Sequence, residues 1–377
     1  MGRNVLAVLC IGVALAIVCL ADRVEAAEEQ RPVVQIAILL DTSSSMSGLI
    51  DQAKAQLWRI VNEMATARRA GSPPDLRVAL YEYGKSSLPQ KEGYLRMILP
   101  LTTDLDKVSE ELFALKTNGG EEYCGMVIRM AVDGLQWSQS KEDMKLIFIA
   151  GNEPFTQGSV NYADACKAAV SKGIVVNTIH CGDDRAGIEG KWKDGALLAD
   201  GTYTCIDQNR AIVHIDAPQD AEVAGLGAEL NTTYIAYGAG GAESMARQAQ
   251  QDANAASAAA SVNVQRQVSK ASAQYRNAGW DLVDALSQTG VSLEGIKAED
   301  LPQEMRGMAL EEKKAYVKAK TARRAEIQAR IQQLDRERRQ YVAEQMKKLP
   351  ESGEDTLDQA IIKVVRTQAA AKGFTFE

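Results

Sequence analysis

Strand-like and helix-like segments alternate through the first half of this 377-residue chain, and this alternation constrains the fold more than any other feature. Such alternation favours parallel strands joined by crossover helices. The first strand candidate is the largely apolar run at residues 33–40, which is typical of a buried strand. The others lie at residues 76–83, 95–99, 145–150, 174–180 and 202–206. The sequence therefore predicts an α/β domain with a doubly wound, mostly parallel sheet.

The helix candidates fall between these strands, at residues 48–67, 104–116, 123–135, 162–172 and 221–230, with a short one near Ala196. The chain exceeds the length of one ordinary domain, and a hydrophobic content of 46% can support a sizeable core. We expect one α/β domain over residues 32–237 and a helical region over residues 241–377.

One carboxylate and two hydroxyls follow the first strand at alternate positions, as Asp41, Ser43 and Ser45. They offer hard oxygen ligands, which suit Mg²⁺, Mn²⁺ or Ca²⁺ better than zinc or copper. Ligands of open parallel sheets bind outside the carboxyl ends of the strands, where these residues are expected. The pattern indicates a divalent-cation site. The alternative is a serine-rich helix start, in which Ser45 or Ser47 only caps the helix.

The segment at residues 41–45, Asp-Thr-Ser-Ser-Ser, resembles the complete D-x-S-x-S first loop of the metal-ion-dependent adhesion site in von Willebrand factor A domains. Members of that family hold a divalent cation between three loops at the carboxyl edge of a parallel sheet. They use the cation to capture a carboxylate of a protein partner. The resemblance implies the same fold, a bound Mg²⁺ (or Mn²⁺ or Ca²⁺), and two more ligand loops in this chain.

The second ligand loop is expected at residues 116–122, before a helix. Many family members have a threonine here, which would be Thr117, but a bacterial subgroup has Gly-Gly-Asp, so we expect Glu121 to be the ligand. In the third loop, Asn152 stands in place of the usual aspartate. A neutral amide is expected to weaken cation binding, and Glu121 or Glu153 would offset this loss. The alternative for Glu121 and Glu122 is a favourable interaction with the positive end of the following helix.

Three further segments, at residues 147–155, 177–182 and 192–201, resemble an exported bacterial subgroup of the family that carries a similar helical tail. At the N-terminus, Arg3 precedes an apolar run at residues 5–20, and small residues suited to processing follow at residues 24–26. We therefore expect a signal peptide over residues 1–26 and a periplasmic or extracellular location. An uncleaved membrane anchor is the alternative.

Four cysteines remain after such cleavage, and export allows them to form disulfides. We expect Cys166 to pair with Cys181, because the two flank one helix-to-strand unit. No pair of cysteines has the Cys-x-x-Cys spacing of zinc sites. The alternative is that Cys124, Cys166, Cys181 and Cys205 are buried free thiols.

The helical tail contains a long basic segment, since residues 308–349 have 12 Lys and Arg against 6 Asp and Glu. Ile327, Leu334 and Tyr341 recur every seven residues, with Ile331 between them. We expect residues 358–371 to fold back on this segment as a hairpin with coiled-coil packing. The alternatives are self-association, contact with an anionic envelope surface and, for the charges alone, a solvated helix face.

Net charge and residue content exclude several classes of function. The net charge of −7 argues against a general nucleic-acid-binding surface. Catalysis is not expected. The only histidines are His180 and His214, and His180 would point to the opposite face of a strand from Cys181, so His180 and Cys181 cannot form a nucleophile–base pair. No general base accompanies the loop ligands either. The sequence predicts an exported protein-binding module that captures an acidic group of its partner through a cation held by Asp41, Ser43, Ser45, Glu121 and Asn152. The alternative is an envelope scaffold that assembles through its tail, with a purely structural metal.

Overall fold

A six-stranded sheet lies at the centre of the structure, a computed structural model that describes residues 31–210, 215–287, 291–348 and 356–376. A second, two-stranded sheet pairs two short strands, Ala67–Arg68 and Thr375–Phe376. The strands in the described residues are β1 (Val33–Asp41), β2 (Ala67–Arg68), β3 (Asp75–Tyr83), β4 (Leu95–Thr102), β5 (Met144–Gly151), β6 (Val175–Cys181), β7 (Tyr203–Ile206) and β8 (Thr375–Phe376).

Helices surround the larger sheet and make up most of the region that follows it. Those of the sheet domain are α1 (Ser47–Ala65), α2 (Leu105–Ala114), α3 (Cys124–Gly134), α4 (Tyr162–Ser171), α5 (Asp184–Glu189), α6 (Trp192–Leu198) and α7 (Asp220–Asn231). Those of the tail are α8 (Gly241–Ala258), α9 (Ala260–Lys270), α10 (Leu282–Leu286), α11 (Gln303–Arg306), α12 (Leu310–Met346) and α13 (Leu357–Ala371).

The strand order of the large sheet is β4-β3-β1-β5-β6-β7, and β4 is antiparallel to its neighbour β3 while the other neighbours pair in parallel. β1 lies between β3 and β5. The chain therefore moves to opposite sides of β1 in successive parts of the sequence. This makes the carboxyl end of β1 a topological switch point, where α/β sheets of this type bind their ligands.

Both faces of β1 are buried. Ile36 and Leu40 belong to an apolar cluster that includes residues of α1, whereas Ala37 and Leu39 belong to a second cluster with residues of α3 and α4. Alternate residues of a strand point to opposite faces, so a strand covered on both faces must be apolar throughout. The predicted doubly wound, mostly parallel α/β fold followed by a helical region is confirmed.

All six predicted strands are present, with ends that differ by a few residues. Three short elements, β2, α5 and β8, were not predicted from the sequence. β2 and β8 are two residues long and pair across almost the whole chain, through Ala67 with Phe376 and Arg68 with Thr375. Such a pairing leaves no local pattern to detect. The described residues from Pro32 onward form one compact unit.

The tail helices pack on the sheet domain. α12 lies against α7 and α9, and α13 lies mainly against α1. Ile327, Ile331 and Leu334 are accordingly buried, and Tyr341 is half-buried. The expected hairpin of residues 358–371 on residues 308–349 is therefore corrected: α12 packs on α7 and α9, whereas α13 packs mainly on α1.

The basic residues of α12 pair with acids of α7. Arg323 forms an ion pair with Glu229, Arg330 with Glu222 at 2.7 Å, and Arg338 with Asp220 at 2.6 Å. We call these three pairs the α7–α12 ladder. Three of the 12 Lys and Arg residues in the segment 308–349 thus pair with acids of the chain's own helix α7.

The four described cysteines are free thiols, so the expected Cys166–Cys181 disulfide is corrected and the alternative of free thiols applies. Cys124, Cys166 and Cys181 are buried, and Cys205 is half-buried. Among the described residues, no helix is both long enough and apolar enough to cross a bilayer. The predicted signal peptide at residues 1–26 and His214 lie outside the described residues.

Candidate metal centre

The first loop begins where β1 ends, at the fully buried Asp41. The Ser43 backbone N–H donates to Asp41 Oδ1 at 2.7 Å, which turns the chain sharply after the strand. Thr42 anchors the turn, since its backbone N–H donates to the Tyr83 carbonyl at 2.8 Å and its hydroxyl lies 3.2 Å from Glu82 Oε2. A short 3₁₀ turn at Ser44–Met46 then leads into α1. The first loop is therefore held in place by the neighbouring strand β3.

The structure brings the hydroxyls of this loop together with the amide of the third loop. Ser43 Oγ and Ser45 Oγ lie 3.2 Å apart, and Asn152 Nδ2 donates to Ser45 Oγ at 3.3 Å. Asn152 follows β5, the strand next to β1. Four of the predicted site residues, Asp41, Ser43, Ser45 and Asn152, thus converge at the carboxyl edge of the sheet. Ser45 is exposed, so the cluster is open to solvent.

The second loop brings Glu122, and not the expected Glu121, to this cluster. Glu121 is exposed, and its carboxylate accepts a hydrogen bond from the Tyr123 hydroxyl at 3.0 Å. Glu122 is buried, and its carboxylate interacts with the Ser43 hydroxyl. Thr117 is half-buried in the same loop, which contacts the first loop through a 2.9 Å hydrogen bond from the Asn118 N–H to the Thr42 carbonyl. Two adjacent glutamates look alike in the sequence, and only the backbone path determines which one faces inward.

Two glycines give Asp41 the space it occupies. A Cβ atom at Gly84 would lie 2.7 Å from Asp41 Oδ1 and 2.9 Å from Glu122 Cγ, and Gly84 also has a φ of +78°. A Cβ at Gly151 would lie 3.1 Å from Asp41 Oδ2. Gly84 follows β3 and Gly151 ends β5, and neither glycine was predicted from the sequence to shape the site. The close approach shows that the carboxylates of Asp41 and Glu122 flank the same backbone segment.

The site concentrates negative charge. Burial raises the pKa of Asp41 to about 7, and the neighbouring Glu153 carboxylate adds to the rise. Burial likewise raises the pKa of Glu122 to about 7, with further contributions from Asp41 and Glu153, while the Ser43 hydroxyl acts in the opposite direction. Ionised carboxylates are disfavoured by burial and by like charge nearby. A bound cation would relieve both causes.

Two oxygen atoms of the cluster are buried and have no hydrogen-bond partner in the described part of the chain: Asp41 Oδ2 and Asn152 Oδ1. Buried polar atoms are nearly always paired, so an orphaned carboxylate oxygen calls for a ligand. The described residues contain no group of three His, Cys, Asp or Glu side chains that could hold a metal ion. The cluster instead combines carboxylate, hydroxyl and amide oxygens, a set that fits a small hard cation such as Mg²⁺.

The fold and the cluster together define a class of protein: an open, mostly parallel α/β sheet with hard oxygen ligands gathered at its carboxyl edge. Residues 36–153 match the family model of the von Willebrand factor type A domain. This match covers β1 to β5 and includes all three loops of the cluster. The chain therefore contains a von Willebrand factor A domain, which is a protein-interaction module.

Several solved structures are similar to part of the chain. BatB from Bacteroides thetaiotaomicron is 20% identical with a TM-score of 0.35, over 46% of this chain and 90% of that one. The SpRpn10 VWA domain is 18% identical with a TM-score of 0.37, over 48% and 90%. Proximal thread matrix protein 1 from the mussel byssus, with a zinc-occupied MIDAS motif, is 12% identical with a TM-score of 0.36, over 48% and 43%. The comparison with curated proteins gave no significant match.

Proposed function

We propose that this protein binds another protein through a divalent cation held at the carboxyl edge of the sheet. The observation that carries the proposal is the convergence of Asp41, Ser43, Ser45 and Asn152 around buried oxygens that lack a partner. A bound Mg²⁺ would supply a coordination position for an acidic side chain of the partner.

Each residue of the cluster would contribute a different ligand or charge to the cation site. Asp41 supplies the carboxylate, Ser43 and Ser45 supply hydroxyl oxygens, and Asn152 supplies the amide oxygen in place of the carboxylate expected in the third loop. We assign to Glu122 the compensating negative charge, because its buried carboxylate lies next to Ser43 and Asp41. Affinity for hard cations rises with the number of charged ligands, so Glu122 offsets the neutral amide.

The charge of the site makes capture of an acidic partner dependent on the cation. Without it, the ionised forms of Asp41, Glu122 and Glu153 would repel a further carboxylate. Long-range attraction is not available either, since the chain carries a net charge of −7. The cation thus determines whether the site repels or captures an acidic group.

We further propose an exported location, on the basis of the N-terminal sequence alone.

We propose a binding role and not a catalytic one. His180 on β6 is buried and packs on Trp192, with 5.6 Å between the ring centroids, and burial lowers its pKa. It is therefore placed as a core residue. The oxygens of the cluster are all needed as ligands, so the proposal assigns none of them to proton transfer.

The alternative of a scaffold assembled through its tail is less favoured by the packing. The heptad residues Ile327, Ile331 and Leu334 are buried within the chain, so they offer no apolar seam to a second copy. Tail-driven assembly would require α12 to leave α7 and α9. The cation site keeps its open face without any rearrangement.

Binding of the metal alone tests the first step. We expect calorimetric titration with MgCl₂ to show one site, and Asp41→Ala to lose that binding. Asp51→Ala is the matched control, because Asp51 is an exposed aspartate on α1, a few residues beyond the site. Wild-type protein with no measurable affinity for Mg²⁺, Mn²⁺ or Ca²⁺ would contradict the proposal.

The two adjacent glutamates provide a sharper test of the ligand set. We expect Glu122→Gln to weaken Mg²⁺ binding roughly tenfold, because it removes a buried charge next to Asp41. Glu121→Gln should leave the affinity within about twofold, since this exposed carboxylate is directed at Tyr123. The reverse ranking would return the role to Glu121.

Partner capture is the final step. The purified chain is immobilised, exposed to an envelope extract and crosslinked. We expect it to retain a partner protein in the presence of Mg²⁺ and to lose that partner in the presence of chelator. Asp41→Ala should behave as the chelated wild type. Undiminished retention of the partner, both by the wild type in chelator and by Asp41→Ala in Mg²⁺, would exclude the cation from the interface.

A further inference from the structure

We propose that Gln52 is a positioning residue that ties the terminal helix α13 to the first ligand loop, so that the docking of the tail sets the geometry of the cation site. The inference rests on the proposed function for the identity of the ligand. It rests on the hydrogen bonds of Gln52 and Gln208 for the connection itself.

The first step is the contact between the ligand loop and the segment after β7. Gln208 Nε2 donates to the carbonyl of Ser45 at 3.0 Å. The same segment lies in close contact with the first turn of α1, since a Cβ at Gly48 would lie 2.5 Å from the Gln208 carbonyl oxygen. Residues 207–210 therefore serve as a backstop that limits the positions available to Ser45.

Gln52 fixes this backstop from the other side. Its side chain is buried, and its Nε2 donates to the carbonyls of Asp207 and Gln208, each at 3.0 Å. Its Oε1 accepts from the backbone N–H of Leu357 at 2.9 Å. Leu357 is the first residue of α13, and the N–H groups of a first helical turn have no partner within the helix. One amide thus joins the start of α13 to the backstop.

The start of α13 is itself firmly held. Thr356 and Gln359 form a capping box at its N-terminus. Asp358 is fully buried and forms a 2.6 Å ion pair with Arg59 of α1. Leu357 and Ile361 are buried in the core that contains α1. These contacts give Gln52 a rigid partner, so its bonds transmit the position of α13 to residues 207–210 and from there to Ser45.

A second buried amide on α1 provides the matched comparison. Asn62 Nδ2 donates to the carbonyl of Gln265 at 2.9 Å, and its Oδ1 accepts from the Ser269 hydroxyl at 2.6 Å. Asn62 therefore links α1 to the tail helix α9 with the same chemistry as Gln52. It lies near the end of α1 remote from Ser45. Loss of either amide costs tail contacts, but only loss of Gln52 frees the backstop.

The experiment compares Gln52→Met with Asn62→Leu, two substitutions that replace a buried amide by an apolar group of similar size. Hydrogen exchange of residues 41–50 is measured in cation-free protein, and Mg²⁺ affinity is measured by calorimetry. We expect both variants to lower the melting temperature. Only Gln52→Met should accelerate exchange at residues 41–50 and weaken Mg²⁺ binding, by about tenfold.

Gln208→Ala is the second variant, because Gln208 is half-buried and its loss leaves the core intact. It should accelerate the same exchange without a large change in melting temperature. The proposal would be overturned if hydrogen exchange at residues 41–50 had the wild-type rate in both Gln52→Met and Gln208→Ala. It would also be overturned if Asn62→Leu accelerated this exchange as much as Gln52→Met does. Wild-type protein that binds no cation would refute the proposed function, and the exchange comparison would still decide the role of Gln52.

Discussion

The cation edge and the tail both bury charged side chains, but they differ in whether those charges have partners. At the cation edge, Asp41 is fully buried and its Oδ2 has no hydrogen-bond partner among the described residues. In the tail, Arg324 is buried with Asp281, and the two form an ion pair at 2.6 Å. Unpaired buried charge indicates a binding site, whereas paired buried charge indicates a structural joint.

The Arg324 joint connects the tail to the sheet domain with complete pairing. Arg324 also contacts Asp284 at 2.9 Å, donates to the Thr233 carbonyl at 2.8 Å, and stacks over the ring of Tyr234 at 4.2 Å. Asp281 accepts in addition from the backbone N–H of Ile235 at 2.8 Å. The joint therefore fixes α12 to the segment that follows α7.

The largest effect is expected from removal of this arginine. Arg324→Ala leaves the buried Asp281 and the half-buried Asp284 without their cation and should lower the free energy of unfolding by about 3–5 kcal/mol. Its neighbour Arg323, which pairs with Glu229 at the exposed surface, is the control, and Arg323→Ala should lower the free energy of unfolding far less. Urea unfolding measures both. Similar losses in the two variants would remove the distinction between a buried joint and a surface pair.

At the cation edge, removal of a buried charge should stabilise the protein, in contrast to the loss of stability expected from Arg324→Ala. The pKa of Asp41 is raised above its unfolded value, so the cation-free protein loses stability as pH rises from about 4 to about 7. Asp41→Asn keeps the acceptor for the Ser43 N–H and removes the charge. In chelator near pH 8, it should therefore stabilise the protein, on the order of 2–4 kcal/mol.

The gain from Asp41→Asn should shrink as the pH falls below about 7 and nearly vanish below the ordinary aspartate pKa of 3.8, where wild-type Asp41 is protonated in both states. Urea unfolding at several pH values measures it, with the exposed Asp51→Asn as the control. Added Mg²⁺ should stabilise the wild type and have no such effect on Asp41→Asn. A variant that is less stable than the wild type across the whole pH range would show that Asp41 has a structural role.

The smallest effect is expected in the α7–α12 ladder. Arg330 and Glu222 are both exposed to more than a third, so Arg330→Glu should cost about 0.5–1 kcal/mol through repulsion. The double variant Arg330→Glu with Glu222→Arg should recover most of this loss, and about 1 M NaCl should reduce the difference. Thermal unfolding of the wild type, the two single variants and the double variant forms a double-mutant cycle. A coupling energy near zero would mean that the ladder only accompanies the apolar packing of α12.

The sequence predicted the sheet well because its strands are buried on both faces and so appear as apolar runs. It placed Asp41, Ser43, Ser45 and Asn152 at one edge because the carboxyl ends of parallel strands share that edge. It did not distinguish Glu121 from Glu122, because loop residues carry no periodic pattern that fixes their direction. The glycines that make room for Asp41 were also missed, since their close contacts come from other loops.

For the tail, the sequence predicted the elements but not their packing. The sequence predicted the helices α12 and α13, but not the surfaces that they cover. An apolar stripe determines that a helix face will be buried, and it does not specify the partner. A hairpin and docking on other helices both satisfy the stripe, and in the structure α12 packs on α7 and α9 while α13 packs on α1. The same holds for the thiols of Cys166 and Cys181, whose spacing permits a pair that the packing does not form.

The sequence by itself determined the order of strands and helices, the open α/β sheet and the oxygen ligands of its first loop, because these follow from local hydrophobic patterns and from residue chemistry. Only the tertiary structure decided that Glu122 faces the site, that α12 pairs with α7, and that Gln52 joins α13 to the ligand loop. These are contacts between residues far apart in the chain. Their energy depends on distance, burial and direction, which no single segment encodes.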